Sequence, residues 1–192
     1  MYEALIGFDR NLFLAMNGPM GSTMDWLMVW AADRFIWIPF YVFLATLLFR
    51  KYGMQALYMT LFAGVLILLS DQGSVLLKNG FMRLRPCHDD SLSIMVHTVG
   101  GYCGGKYGFV SSHAANTMGL FIYILLMLRS SNRWLLGGMI CWVLLIGYCR
   151  IYLGAHFPAD IIGGWIVGVF AALLTYGAYR SIFPSPKSLV AP

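Results

Sequence analysis

The chain has 192 residues, of which 59% are hydrophobic and only 11% charged. A water-soluble globule is excluded, because soluble domains carry about 25% charged residues and need that polar surface to cover themselves. The formal charge of +5 does not indicate nucleic acid: the 13 Lys and Arg residues stand scattered between apolar runs rather than in a basic stripe, and loop topology and anionic headgroups account for them.

Met1–Met16 places Leu5, Ile6, Leu12, Phe13 and Leu14 between Glu3, Asp9 and Arg10. That pattern fits an amphipathic helix at the membrane surface better than a spanning helix or a cleaved signal peptide. Asn17-Gly18-Pro19 breaks it, so residues 1–24 read as an interfacial helix and turn. Residues 25–180 read as one all-α transmembrane bundle of about five helices. The first span is expected over Asp25–Phe49, with a kink at Pro39. It must include the segment around Asp33 and Arg34, because Phe35–Phe49 alone reaches only about 22 Å of a roughly 30 Å hydrocarbon core. A basic turn, Arg50-Lys51-Tyr52-Gly53, leads to a second span, Ala56–Leu77, and then to a long polar, Gly-rich loop, Lys78–Ser112. The third span is His113–Leu128, followed by the basic turn Arg129–Arg133. The fourth is Trp134–Tyr148, with a short polar segment, Cys149–Phe157, after it. Pro158 opens the fifth span, Pro158–Tyr179, and residues 181–192 form a polar tail.

These spans sort the loops onto two faces. One face holds Arg50, Lys51, Arg129, Arg133, Arg180 and Lys187 and no acidic residue. Short basic turns dominate the positive-inside rule, so this face and the tail are expected in the cytoplasm. The long loop and the Cys149–Asp160 segment then face outward. Three separated pieces meet on that outer face: Lys78-x6-Arg85-Pro86, Val110-Ser111-Ser112-His113, and Cys149-Arg150-x5-His156-x3-Asp160. Together they gather three cations, two histidines, two serines and an aspartate at one membrane level.

That inventory suits phosphoryl transfer, which depends on positioning and on stabilising charge spread over the phosphoryl oxygens. Lys78 supplies a point charge, and Arg85 and Arg150 each offer a planar fork. Ser111 and Ser112 stand where the third span begins, so hydroxyl and free backbone N–H groups point at an anion. Of two histidines, one can attack phosphorus and the other protonate the leaving alkoxide, while an aspartate orients an imidazole.

The three pieces resemble the signature of the phosphatidic acid phosphatase type 2 superfamily: K-x6-R-P, P-S-G-H, and S-R-x5-H-x3-D. The first and third match in every spacing. Val110 and Ser112 replace the Pro and Gly of the middle motif, and Cys149 replaces the Ser of the third. The resemblance covers residues 56–180. It implies a metal-independent lipid phosphatase of a bacterial inner membrane, with its site facing the periplasm or exterior and no cofactor. His156 would be the nucleophile that forms a phosphohistidine, Asp160 its orienting partner, and His113 the general acid and then base. Lys78, Arg85, Arg150 and Ser111 would bind phosphate, with Ser112 either adding a hydrogen bond or merely tolerated. The implied partners are a lipid phosphate substrate and membrane lipids, not nucleic acid; nothing sets the oligomeric state. Undecaprenyl diphosphate is the favoured substrate on chain size, with phosphatidylglycerol phosphate and lipid A phosphate open. A lipid phosphotransferase, or a non-enzymatic anion-binding membrane protein, would use the same pocket.

Other polar residues carry weaker expectations. Asp71 lies one heptad before Lys78 and is expected to support the site from the same helix face. His88 and His97 have a metal role only as a minor alternative, and Asp89-Asp90 reads as a solvated turn. Cys141 is expected to be buried within a span. An extracytoplasmic loop permits a Cys87–Cys103 disulfide that would clip the segment between Arg85 and Ser111.

Overall fold

A computed structural model describes residues 2–92, 94–129 and 132–184. Its helices are apolar on the outside, the inverse of a soluble bundle. On the helix Gln55–Phe81, the stripe Leu57, Leu61, Val65 and Leu68 is exposed, and on Pro158–Ile182 so are Ile162, Ile166, Phe170 and Leu173. Spacings of three and four residues put each set on one face, where only lipid offers apolar cover.

Seven α-helices follow in order among the described residues: α1 Tyr2–Met16, α2 Ser22–Ala32, α3 Ile38–Tyr52, α4 Gln55–Phe81, α5 Ser112–Leu128, α6 Arg133–Tyr152 and α7 Pro158–Ile182. Four segments are long and apolar enough to cross a membrane: Arg34–Tyr52, Gln55–Phe81, Arg133–Tyr152 and Pro158–Ile182. The shorter apolar helix Ser112–Leu128 lies in the middle of them. The protein is therefore an integral-membrane helical bundle. The 27 residues of α4 rise about 40 Å, more than the hydrocarbon core, so Lys78 near its end reaches the interface.

The first span differs from the expectation of one helix over Asp25–Phe49. The chain breaks at Asp33, whose backbone is extended (ψ 119°) and whose carboxylate accepts from Phe35 N–H at 2.9 Å, starting a 3-10 turn, Arg34–Trp37. The side chain satisfies a backbone donor that a continuous helix would have used itself. Pro39 therefore sits in the first turn of α3, where its missing N–H costs nothing, and does not kink a longer helix. Two further expectations are corrected. The fourth span continues as helix through Cys149 and Arg150 to Tyr152, so these residues do not belong to a polar loop. Cys141 is exposed rather than buried, because it faces outward where lipid replaces water as the apolar medium. The tail from residue 185, with Lys187, lies outside the described residues.

The amphipathic reading of α1 is incomplete in one respect. Phe13 is fully buried and Asp9 and Asn17 nearly so, at 8% and 4%. These three share one face, and Asn17 donates to the carbonyls of His97, Ile151 and Tyr152. So α1 is clamped onto the ends of α6 and α7, while its Leu5 and Phe8 stay exposed.

The centre of the bundle is the α5–α7 pair, the most extensive helix contact of the molecule. Small residues allow it. A Cβ on Gly168 would lie 2.2 Å from the Ala115 carbonyl oxygen, and one on Gly164 would lie 2.5 Å from that of Ser111. Close backbone approach of this kind is how membrane helices associate without a hydrophobic drive between them. It sets the first turns of α5 and α7 side by side, and Ser111 N–H donates to the Asp160 carbonyl at 2.9 Å.

Candidate active site

Each cationic and proton-carrying group of the three sequence pieces stands at one end of the bundle, near the ends of α4, α5, α6 and α7. Lys78 comes from the last turn of α4, Arg150 from the last turns of α6, His113 from the first turn of α5 and Asp160 from the first turn of α7. His156 lies in the short link between α6 and α7, after Gly154, whose φ of +71° turns the chain back. A Cβ at Gly154 would also strike Val96 Cγ1 at 2.7 Å and the His97 carbonyl at 3.0 Å, so the link is pressed under the outer loop.

His156 is 1% exposed. Its Nε2 lies 3.1 Å from Arg85 Nη1, which also donates to the Ala155 carbonyl at 3.1 Å. A guanidinium can only donate, so Nε2 presents its lone pair and the proton of the neutral ring sits on Nδ1. Nδ1 faces Asp160 Oδ2 at 3.5 Å, a charge-pair distance longer than a hydrogen bond. Burial first, then Arg85, Arg150 and Lys78, hold the His156 imidazole well below the ordinary histidine range, so it is neutral at physiological pH. Burial and the neighbouring Arg150 lower Arg85 to about 10, still charged at neutral pH.

Lys78 Nζ donates to Ser112 Oγ at 2.5 Å, so the residue at the altered motif position contacts the site's lysine. Ser111 is fully buried as the N-cap of α5, where its hydroxyl oxygen accepts from Ala114 N–H at 3.4 Å. Arg150 donates to the Tyr102 hydroxyl, its guanidinium 5.1 Å from that ring's centroid. The Nε groups of Arg85 and Arg150 are buried and have no protein acceptor. His113 and Ser112 line a cavity of about 160 Å³. It shares Arg34, Tyr41, Asp71 and Trp142 with a larger cavity of about 620 Å³ whose walls include Leu44, Leu48 and Ile124. Asp71 thus sits on the cavity walls beside His113.

Arg83 and Tyr102, which the sequence reading passed over, contact residues of the site. Arg83 pairs with Asp160 Oδ1 at 2.8 Å and with Asp9 at 2.5 Å. Tyr102 reaches Arg150 from the outer loop. His97 holds Asp25 at 2.9 Å, and the hydrogen bond from the Tyr152 hydroxyl, followed by that from His97, lowers the Asp25 carboxyl below its usual range. Asp89 pairs with Arg10 at 2.7 Å, so it is not a merely solvated turn. The helical face shared by Asp9 and Phe13 is the signal that would have placed Asp9 inward.

Cys87 and Cys103 are joined in a disulfide with their Cα atoms 6.0 Å apart. With His88 they form a compact group, but both sulfurs are consumed in the bond. The link should restrict the unfolded chain by about 3 kcal/mol for a loop of this size. Non-reducing peptide mapping is expected to recover Cys87 and Cys103 as one linked pair while Cys141 and Cys149 alkylate; two free thiols in the loop would refute the clip.

A family model described as the PAP2 superfamily matches residues 52–183. A lipid A 4'-phosphatase of Bacteroides thetaiotaomicron is 33% identical over 92% of this chain and 79% of its own length. An undecaprenyl-diphosphatase of Sulfolobus acidocaldarius is 26% identical over 90% of this chain and 79% of its own. The crystal structure of Aquifex aeolicus LpxE superposes with a TM-score of 0.67 at 20% identity, covering 87% of this chain and 93% of that one.

Proposed function

We propose that this chain, which belongs to the PAP2 superfamily, is a lipid A-type phosphatase: a membrane lipid phosphatase that removes a sugar-linked phosphate monoester by way of a phosphohistidine at His156. The observation that carries the reading is the His156 Nε2 lone pair, fixed by Arg85 at 3.1 Å among Lys78, Arg150 and His113. In the first step this lone pair attacks phosphorus as the phosphorus–oxygen bond to the lipid breaks. His113, whose protonated form the bound phosphate dianion favours, gives its proton to the departing oxygen. Lys78, Arg85 and Arg150 offset the charge on the phosphoryl oxygens, and Asp160 supports the positive imidazole that forms. In the second step His113 takes a proton from water, the oxygen attacks phosphorus, and the nitrogen–phosphorus electron pair returns to Nε2. The residues of this cycle need no metal. The cavity beside His113 gives the substrate's apolar portion a place to lie while the headgroup reaches the cations.

The lipid A reading rests on the 33% relative. It displaces undecaprenyl diphosphate, favoured earlier on chain size, to second place, where the 26% relative keeps it. The basic turns Arg50-Lys51 and Arg129–Arg133 support an inner-membrane orientation with the site facing the periplasm. The test is phosphate release from purified lipid phosphates in detergent, with and without excess EDTA. Lipid A bearing its 4'-phosphate is expected to turn over best, to lose that phosphate by mass, and to do so unchanged in EDTA. Release from undecaprenyl diphosphate alone would favour the second reading. No release from any lipid phosphate would sink both.

A further inference from the structure

Arg83 occupies an unspecified position between Lys78 and Arg85, yet it makes more ionic contacts than either. One guanidinium nitrogen meets Asp160 Oδ1 at 2.8 Å and the other meets Asp9 Oδ2 at 2.5 Å. The same guanidinium lies over the ring of Phe157, the residue after His156, at 4.3 Å from its centroid. Asp9 uses its second oxygen to accept from Ala159 N–H, in the first turn of α7, at 2.9 Å. Asp160 Oδ2 accepts from Phe157 N–H at 3.0 Å. Apart from the Arg83–Asp9 pair itself, each of these contacts bears on Phe157, Ala159 or Asp160, in the segment that follows His156. The backbone joins in, since Gly108 N–H donates to the Arg83 carbonyl at 2.8 Å. A Cβ on Gly108 would come within 2.9 Å of Asp160 Oδ2.

We propose that Arg83 is a positioning residue for the histidine centre, held in place by Asp9 of the amphipathic helix α1, so that the surface helix is a working part of the site. The proposal rests on the His156 reading above. Asp160 is wholly buried, and a buried carboxylate without a partner is costly to keep ionised and in place. Arg83 supplies that partner on Oδ1 and leaves Oδ2 turned toward His156. Arg85 donates to His156 and Arg150 and Lys78 also face its site, so they do not substitute for Arg83 on Oδ1. The arrangement also connects catalysis to the membrane surface, because the exposed Leu5 and Phe8 of α1 lie on the helix that carries Asp9.

The charges facing His156 give the test its sign. Lys78 from α4, Arg150 from α6 and Arg85 from the loop oppose a proton on the imidazole, as does His113 from α5 when protonated. Asp160 from α7 favours the proton, and Arg83, itself facing Asp9 of α1, partly offsets Asp160. Arg83→Gln removes that offset, so the acid limb of kcat/KM should move to higher pH. It should also lower kcat about tenfold or more with KM nearly unchanged, since a tilted nucleophile loses transition-state rather than ground-state binding. Arg83→Lys should recover most of the rate, and Asp9→Asn should show a smaller fall in kcat. All variants are assayed as purified full-length protein, with thermal unfolding recorded and His156→Ala alongside. Arg83→Gln with wild-type kcat and an unmoved acid limb, beside a dead His156→Ala, overturns this inference alone. Equal losses in Arg83→Lys and Arg83→Gln that simply track unfolding also overturn it. An active His156→Ala overturns the reading beneath it.

Discussion

His156→Ala is expected to abolish phosphate release while the protein remains folded and inserted, a loss on the order of 10⁴-fold or more, as when any member of a covalent catalytic unit is removed. The expectation follows from the site's asymmetry. His156 is buried to 1% exposure with its lone pair aimed at Arg85, whereas His113 is half-buried and lines a cavity. Burial and three cations keep the His156 ring neutral below the ordinary histidine range near pH 6.5. On the proposed mechanism the neutral form attacks, so protonation of His156 should not limit kcat/KM as the pH falls through that range. Turnover by purified His156→Ala would show that another group attacks phosphorus. A direct check is an alkaline quench during turnover, which preserves a nitrogen–phosphorus bond and should place the added mass on the peptide containing His156.

Gly168→Leu is the second large effect. A side chain there meets the Ala115 carbonyl oxygen at 2.2 Å and Gly119 N at 2.8 Å, both backbone atoms that cannot swing aside. Overpacking a core ordinarily costs about 1–3 kcal/mol, and a clash with a neighbouring helix backbone belongs at or above the upper end. The helices must separate, which moves Ser111 away from Asp160 and the start of α5 away from Lys78. We expect a lowered melting temperature in detergent and a fall in kcat/KM of about 100-fold, from displacement of groups by an ångström or so. Gly177→Leu, on the same helix with nothing within 4 Å, is the control and should behave as wild type. If Gly168→Leu melts and turns over like that control, the α5–α7 contact does not position the site.

Much of this site is legible in the sequence because its parts sit at helix ends. Lys78, His113, Arg150 and Asp160 each lie within a turn or so of the outer terminus of a helix, so hydropathy alone brings them to one level. What hydropathy cannot register is a local side-chain cap. Asp33 closing on Phe35 N–H splits the first hydrophobic segment into α2 and α3, although the apolar run continues on both sides. Nor does it reveal tertiary charge pairing. Asp9 and Arg83 are 74 positions apart, and each alone reads as a solvated surface charge. Cys141 is a different failure. The habit of burying cysteine comes from water-soluble proteins, and it reverses meaning when the outside of the helix is hydrocarbon.

The central place of α7 has a consequence for biogenesis. Lys78, Arg85 and His113 leave the ribosome well before His156 and Asp160, and α5 reaches the bilayer without the helix whose glycines fit its backbone. Until α7 inserts, Lys78 and Arg85 stand at the membrane surface without the His156–Asp160 pair beside them. On the proposed mechanism such a nascent chain attracts anionic headgroups but cannot hydrolyse them, and competence for hydrolysis waits for α7 to dock and set Asp160 beside His156.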